Sequence, residues 1–192
     1  MLLDVTATTV NVVAGAIVGL GFQTLEPTSG SPMHRFVRGP DVVDVMVARN
    51  VNGPTRWRAR PLLRSPGAAQ ALRRRDTYTV MDGDRSIDVD VPDAVGAIVA
   101  KSAAFTVDPR NPARHLEDLV VLAAAAGPVR SLDLASLSRK DRRHLSRPVA
   151  LLTNARHPAW DVLDAYDRVL GQRVWAAIEE QSPPGGSRKR YE

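Results

Sequence analysis

The chain has 192 residues, 44% of them hydrophobic, with 26 Lys and Arg against 21 Asp and Glu for a net charge of +5, and no cysteine. That length can bury a real core, while the missing cysteines exclude disulfides, thiolate chemistry and thiolate metal sites. The longest apolar stretch, Val10 to Phe22, is broken by three glycines, so no membrane span is expected, and Asp4 stands where a secretory signal would be basic, which makes a cytoplasmic protein the default expectation.

Met1 to Val5 reads as the end of a strand. After it, Val10, Val13, Ala14, Ile17 and Leu20 recur at helical spacing behind Thr6 or Thr8 as the cap, with Gly21 as the stop. Phe22 to Leu25 is a short strand, and the loop from Glu26 to Pro32 follows it. Met33 to Arg38 and Asp41 to Ala48 are two β-rich runs around Gly39-Pro40, which predicts a hairpin. The second run carries Asp44 in mid-strand, either on an exposed sheet face or serving a site.

Asn50 to Pro66 reads as irregular, with Arg56, Trp57, Arg58, Arg60 and Arg64 interleaved. Arginines around one aromatic can grip a phosphodiester backbone and stack a base, and a surface loop with its Trp tucked inward fits the same residues. A short helix from Pro66 to Arg75 ends in Arg73, Arg74 and Arg75, charges that suit a helix carboxyl end and also suit phosphate. The positive charge is almost all arginine, which makes nucleic acid a candidate partner; GC-rich coding produces the same usage.

Thr77 to Met81 and Ser86 to Val91 are strands joined through Asp82-Gly83-Asp84. The second holds Asp88 and Asp90 on one face, a pair able to share a divalent cation and equally the product of simple alternation. From Pro92, Val95, Ile98, Val99, Ser102 and Ala103 form one helical stripe with Lys101 beside it. After the breakers Asp108 to Pro112, Leu116, Leu119, Val120 and Ala123 form a second stripe with Asp118 in the same turn. Spacing alone fits a snorkelling lysine and a solvated aspartate next to Glu117; it equally fits two charges that need each other near a core.

Leu132, Leu134 and Leu137 predict a short third helix. A basic run from Arg139 to His144 comes next, then an apolar segment from Val149 to Thr153 and a long helix from about Pro158 to Ile178. Residues 181–192 have the composition of a disordered basic tail. His34, His115, His144 and His157 lack a short ligand spacing, so no zinc site is expected.

The segment Ala97 to Ala104 around Lys101, followed by Arg114-His115-Leu116-Glu117-Asp118-Leu119, resembles the paired motifs of AbiEii/AbiGii-type nucleotidyltransferases, the family that includes the MenT-type toxins. His115 departs from that pattern, standing where an aspartate is common. His34-Arg35-Phe36 with Val43-Asp44-Val45 is similar to the strand pair that supplies a third acidic residue there. The family's glycine-rich turn and Asp-x-Asp strand have no counterpart before the first helix, and Met1 to Val5 resembles the residues that follow them; the likeness extends from Met1 to about Ala126. It implies an α+β fold, with a small mixed or antiparallel sheet of a nucleotidyltransferase-like core over residues 1–91, incomplete at its amino end, and a C-terminal helical bundle over 92–180.

By the same resemblance the protein is a toxin of a toxin-antitoxin pair that transfers nucleotides from a nucleoside triphosphate to RNA, with tRNA as the acceptor, and meets a cognate antitoxin. Magnesium is the implied cofactor, with Asp44 as a metal ligand and part of the acidic cluster. Lys101 and Arg114 bind the nucleotide, and Asp118 orients Lys101 or the acceptor. Arg56, Trp57, Arg58, Arg73, Arg74 and Arg75 are the nucleic-acid-binding candidates. The other reading is a non-catalytic, basic nucleic-acid-binding or remnant protein.

Overall fold

The computed structural model describes residues 1–26, 32–48, 55–58 and 60–181. Two compact units emerge, Met1–Leu72 and Arg73 onward. The boundary falls well before residue 91: the strands Arg75–Asp82 and Arg85–Pro92 pair with each other, and the second touches the helix after it, all within the second unit.

In the first unit, β1 (Leu2–Leu3) leads into α1 (Val10–Gly19). The cap is Thr9, whose hydroxyl accepts from the Val12 amide at 3.3 Å. Thr6 does not take that place because its hydroxyl and amide both donate to the Asp4 carboxylate. Val10, Ala14 and Ile17 are buried, while Leu20 is exposed just past the end of the helix. Gly21, at φ +87°, makes the left-handed turn that stops it.

β2 (Gln23–Thr24), β3 (Arg35–Arg38) and β4 (Asp41–Asp44) form an antiparallel sheet in that order. The expected single strand from Asp41 to Ala48 divides at Val45. Its remainder, β5 (Met46–Ala48), leaves the hairpin and runs parallel between β1 and β8 (Leu63–Ser65). Alternation survives the switch, with Val45 and Val47 both buried, so a sequence pattern cannot reveal that the hydrogen-bonding partner has changed. The region read as irregular also contains a small hairpin of β6 (Arg56–Trp57) and β7 (Arg60–Pro61), strands too short to show a period. Leu3, α1, Phe22, Met33, Phe36, Val45, Val47 and Leu62 make this unit's core. The helix α2 (Ala68–Arg73) runs to the junction.

The second unit opens with β9 (Arg75–Asp82) and β10 (Arg85–Pro92), paired along their whole length through a turn with Gly83 at φ +59°. Pro92 ends β10 and does not open the helix; Asp93 caps α3 (Ala94–Val107), its carboxylate accepting from the Gly96 amide at 2.6 Å. Asn111 caps α4 (Pro112–Ala125), with Pro112 in its first turn. Both predicted stripes are buried as read.

A 3-10 turn at Val129–Ser131 replaces the predicted third helix, although Leu134 and Leu137 still reach the core. The basic run and the apolar segment after it are one helix, α5 (Arg139–Leu152), which passes through Pro148 and opens on a Ser138–Asp141 capping box. The predicted long helix is likewise divided: a 3-10 turn at Pro158–Val162 precedes α6 (Ala165–Glu180), because Asp164 takes the cap position and its carboxylate accepts from the Asp167 amide. α4 packs on both α3 and α6 around a core that includes Trp160 and Trp175, each fully buried.

The fold is therefore mixed α+β. Among the described residues no helix is long and apolar enough to cross a membrane. Residues 182–192, read as a basic tail, lie outside them, as does most of the loop from Glu26 to Pro32.

Candidate functional site

Lys101 and Asp118 meet. The antiparallel packing of α3 against α4 brings the lysine ammonium into a close ion pair with the Asp118 carboxylate. The side chains keep 28% and 40% of their exposure, so the pair lies on the rim of the helical core. Each helix supplies its charge for the same reason: one side of the helix is committed to the core by Ile98, Val99, Ser102 and Ala103, or by Leu116, Leu119 and Val120, and the charged residue is next to that stripe.

Further polar groups continue the site toward the loop between the helices. Asp108, just after α3, is gripped by Arg110 through Nε at 2.8 Å and Nη2 at 2.9 Å. These hydrogen bonds hold its carboxyl far below the usual carboxylate range. His115 turns Nε2 toward the same carboxylate at 3.7 Å, and its buried Nδ1 has no partner among the described residues. Arg114, one helical turn before Asp118 and thus on the same side of α4, is exposed, and its side chain makes no hydrogen bond or ion pair with a described residue. Lys101, Arg114 and Asp118 are thus gathered along one helical hairpin, with the small residues Ala97 and Ala104 one turn to either side of the lysine.

Asp44 has a different setting. It faces Arg35 across the β3–β4 ladder, and Nε and Nη2 of the guanidinium each donate to one carboxylate oxygen at 2.7 Å. The Arg35 hydrogen bonds hold the Asp44 carboxyl below its ordinary value. A carboxylate bound at both oxygens is a poor first ligand for magnesium, and no group of three His, Asp or Glu side chains able to hold a metal occurs among the described residues. Asp44 would therefore have to exchange its Arg35 partner to hold the magnesium that the family resemblance implies. Asp88 and Asp90 are also occupied: Thr79 and Thr77 donate to them at 2.8 Å, and Arg75 pairs with Asp90 at 3.2 Å.

The arginine candidates separate. Trp57 packs against the first unit's core with Arg58 lying 5.2 Å over its ring, the tucked arrangement and not an open stacking platform. Arg56 is exposed on β6. Arg73 is exposed at the end of α2, Arg74 donates to the Ser136 carbonyl and hydroxyl at 2.8 Å and stands near Asp141, and Arg75 is held by Asp90. Three adjacent arginines thus have three different surroundings, because a helix end, a bend and a strand start follow one another there.

The basic face of α5 was visible only as a run. In the helix, Arg139, Lys140, Arg143 and Arg147 all lie exposed, while Leu145, Val149 and Leu152 are buried. Arg147 covers the Phe105 ring at 4.9 Å, and the side chains of Arg139, Lys140 and Arg143 make no hydrogen bond or ion pair with a described residue. Comparison of the chain with protein-family models, with characterised proteins and with solved structures finds no match.

Proposed function

We propose that the protein is a nucleotidyltransferase-like toxin that takes a nucleoside triphosphate and modifies RNA, with tRNA as the acceptor class and a cognate antitoxin as its protein partner. The reading is supported by the Lys101–Asp118 pair, in which two residues singled out from separate motifs meet on a half-exposed rim. In this reading Asp118 holds the ammonium in position when no substrate is bound. An incoming triphosphate then competes for the same ammonium, and Arg114 adds a second donor for phosphate oxygens. Magnesium and the acidic cluster completed by Asp44 remain part of the family expectation and carry no step here.

The test is transfer of label from each of the four nucleoside triphosphates to RNA by the purified chain with a divalent cation. Lys101→Ala is expected to lower transfer by at least about a hundredfold. Absence of transfer from every triphosphate refutes the reading.

A second reading, a non-catalytic nucleic-acid binder, is favoured by the exposed basic face of α5, where the Arg139, Lys140 and Arg143 side chains pair with no described residue. It requires affinity for RNA that falls steeply with salt, drops when Arg139, Lys140 and Arg143 are replaced by Gln, and is indifferent to Lys101→Ala and to magnesium.

A further inference from the structure

All sixteen residues of β9 and β10 are exposed. Directly opposed residues of an antiparallel pair share a face, so the register assigns each side chain of this ribbon to one of two faces. One face carries Thr77, Thr79, Asp88, Asp90 and Arg75, joined by the two Thr–Asp hydrogen bonds and the Arg75–Asp90 pair, with Met81 at 64% exposure beside them near the tip. The other carries Tyr78, Val80, Ile87, Val89 and Val91, at 55%, 50%, 60%, 41% and 41% exposure. It is bounded by Asp76 at the base and by Asp82 opposite Arg85 at the tip, and none of these three side chains has a hydrogen bond or ion pair with a described residue.

A two-stranded ribbon is marginal in water unless its apolar face is covered. The five apolar side chains leave on the order of 400 Å² of contiguous apolar surface, comparable to the largest patch on an ordinary monomer, a size at which such patches are often functional. Two such faces with their charged rims bury roughly 1,200 Å² in total, the lower end for a specific contact. We propose that a second copy of this chain covers the face, giving a two-fold dimer through β9 and β10.

The charges select both the partner and its orientation. With the two-fold axis along the strands, β9 lies over the partner's β10. Tyr78 then meets the partner's Val89, Val80 meets the partner's Ile87, and Asp82 meets the partner's Arg85, each contact occurring twice. With the axis across the strands, β9 lies over its own copy and Asp76 is brought against the partner's Asp82, two like charges. Both arrangements set larger side chains against smaller ones, but only the first brings opposite charges together at the tip.

The test is sedimentation equilibrium of the full chain from low to high micromolar concentration at low salt, with far-UV circular dichroism to confirm that each variant is folded. A monomer–dimer equilibrium is expected for the native chain. Val80→Ser with Ile87→Ser, Arg85→Asp alone and Asp82→Arg alone should each weaken the dimer by at least about tenfold. The double exchange Asp82→Arg with Arg85→Asp should restore it, because the swapped charges still face each other across the axis. A monomer at every concentration, a dimer indifferent to the loss of Val80 and Ile87, as pairing along the free strand edges would give, or a double exchange that fails to restore association overturns the proposal.

Discussion

Replacing Lys101 by Met and Asp118 by Asn, singly and together, separates a functional ion pair from a structural one. The Met side chain keeps the length of the lysine stem, and Asn keeps the shape of the carboxylate, so the cycle isolates charge. Because the two side chains retain 28% and 40% of their exposure, water screens their attraction and hydrates each charge when its partner is removed. Pairs of that kind contribute about 0.2–1 kcal/mol, whereas breaking a fully buried pair costs about 3–5 kcal/mol by stranding a charge.

The expected coupling energy is therefore below about 1 kcal/mol, shrinking further in molar salt. Urea unfolding followed by the fluorescence of Trp160 and Trp175, both buried in the same unit as the pair, reads it once Trp57 of the first unit is replaced by Phe. Triphosphate binding should fall with Lys101→Met and survive Asp118→Asn, which leaves the ammonium free. A coupling energy above about 3 kcal/mol would show that the pair stabilises the helical hairpin as a buried element, and the assignment of Lys101 to phosphate would be withdrawn.

Gly171 and Gly15 give opposite expectations for the same change. A Cβ on Gly171 would stand 2.9 Å from the Trp160 ring and 3.3 Å from the Val120 carbonyl, and the ring is fully buried with its Nε1 donating to the Leu152 carbonyl. Overpacking of about 1–3 kcal/mol then outweighs a helix-propensity gain of about 1 kcal/mol, so Gly171→Ala should lower the thermal midpoint. Gly15, inside α1 with nothing within 4 Å of its Cβ position, should be stabilised by the same substitution. His144 predicts an acid-side loss of stability: burial first, and then Lys140 and Arg143, hold its imidazole below the usual histidine value against the opposing pull of Asp141. The unfolded chain thus binds the proton first, stability falls as pH drops through the ordinary histidine range, and His144→Gln should flatten the unfolding midpoint between about pH 7 and 5 relative to the native chain.

The amino-acid sequence by itself determined the elements with long periods and clear punctuation. The stripes of α3 and α4, the stop at Gly21 and the turn at Asp82-Gly83-Asp84 are local, since each depends on residues within a turn or two. The family resemblance singled out Lys101 and Asp118, and the local reading placed each beside its own core stripe; only the antiparallel packing of α3 on α4 made them partners. The departure of β5 from the hairpin and the docking of Arg74 on Ser136 were decided by pairing between distant segments, and the capture of Asp44 by Arg35 by the register of its hairpin. A residue's spacing fixes which side of its own element it occupies, whereas what waits on that side depends on strand register and helix packing, and those are set by the whole core at once.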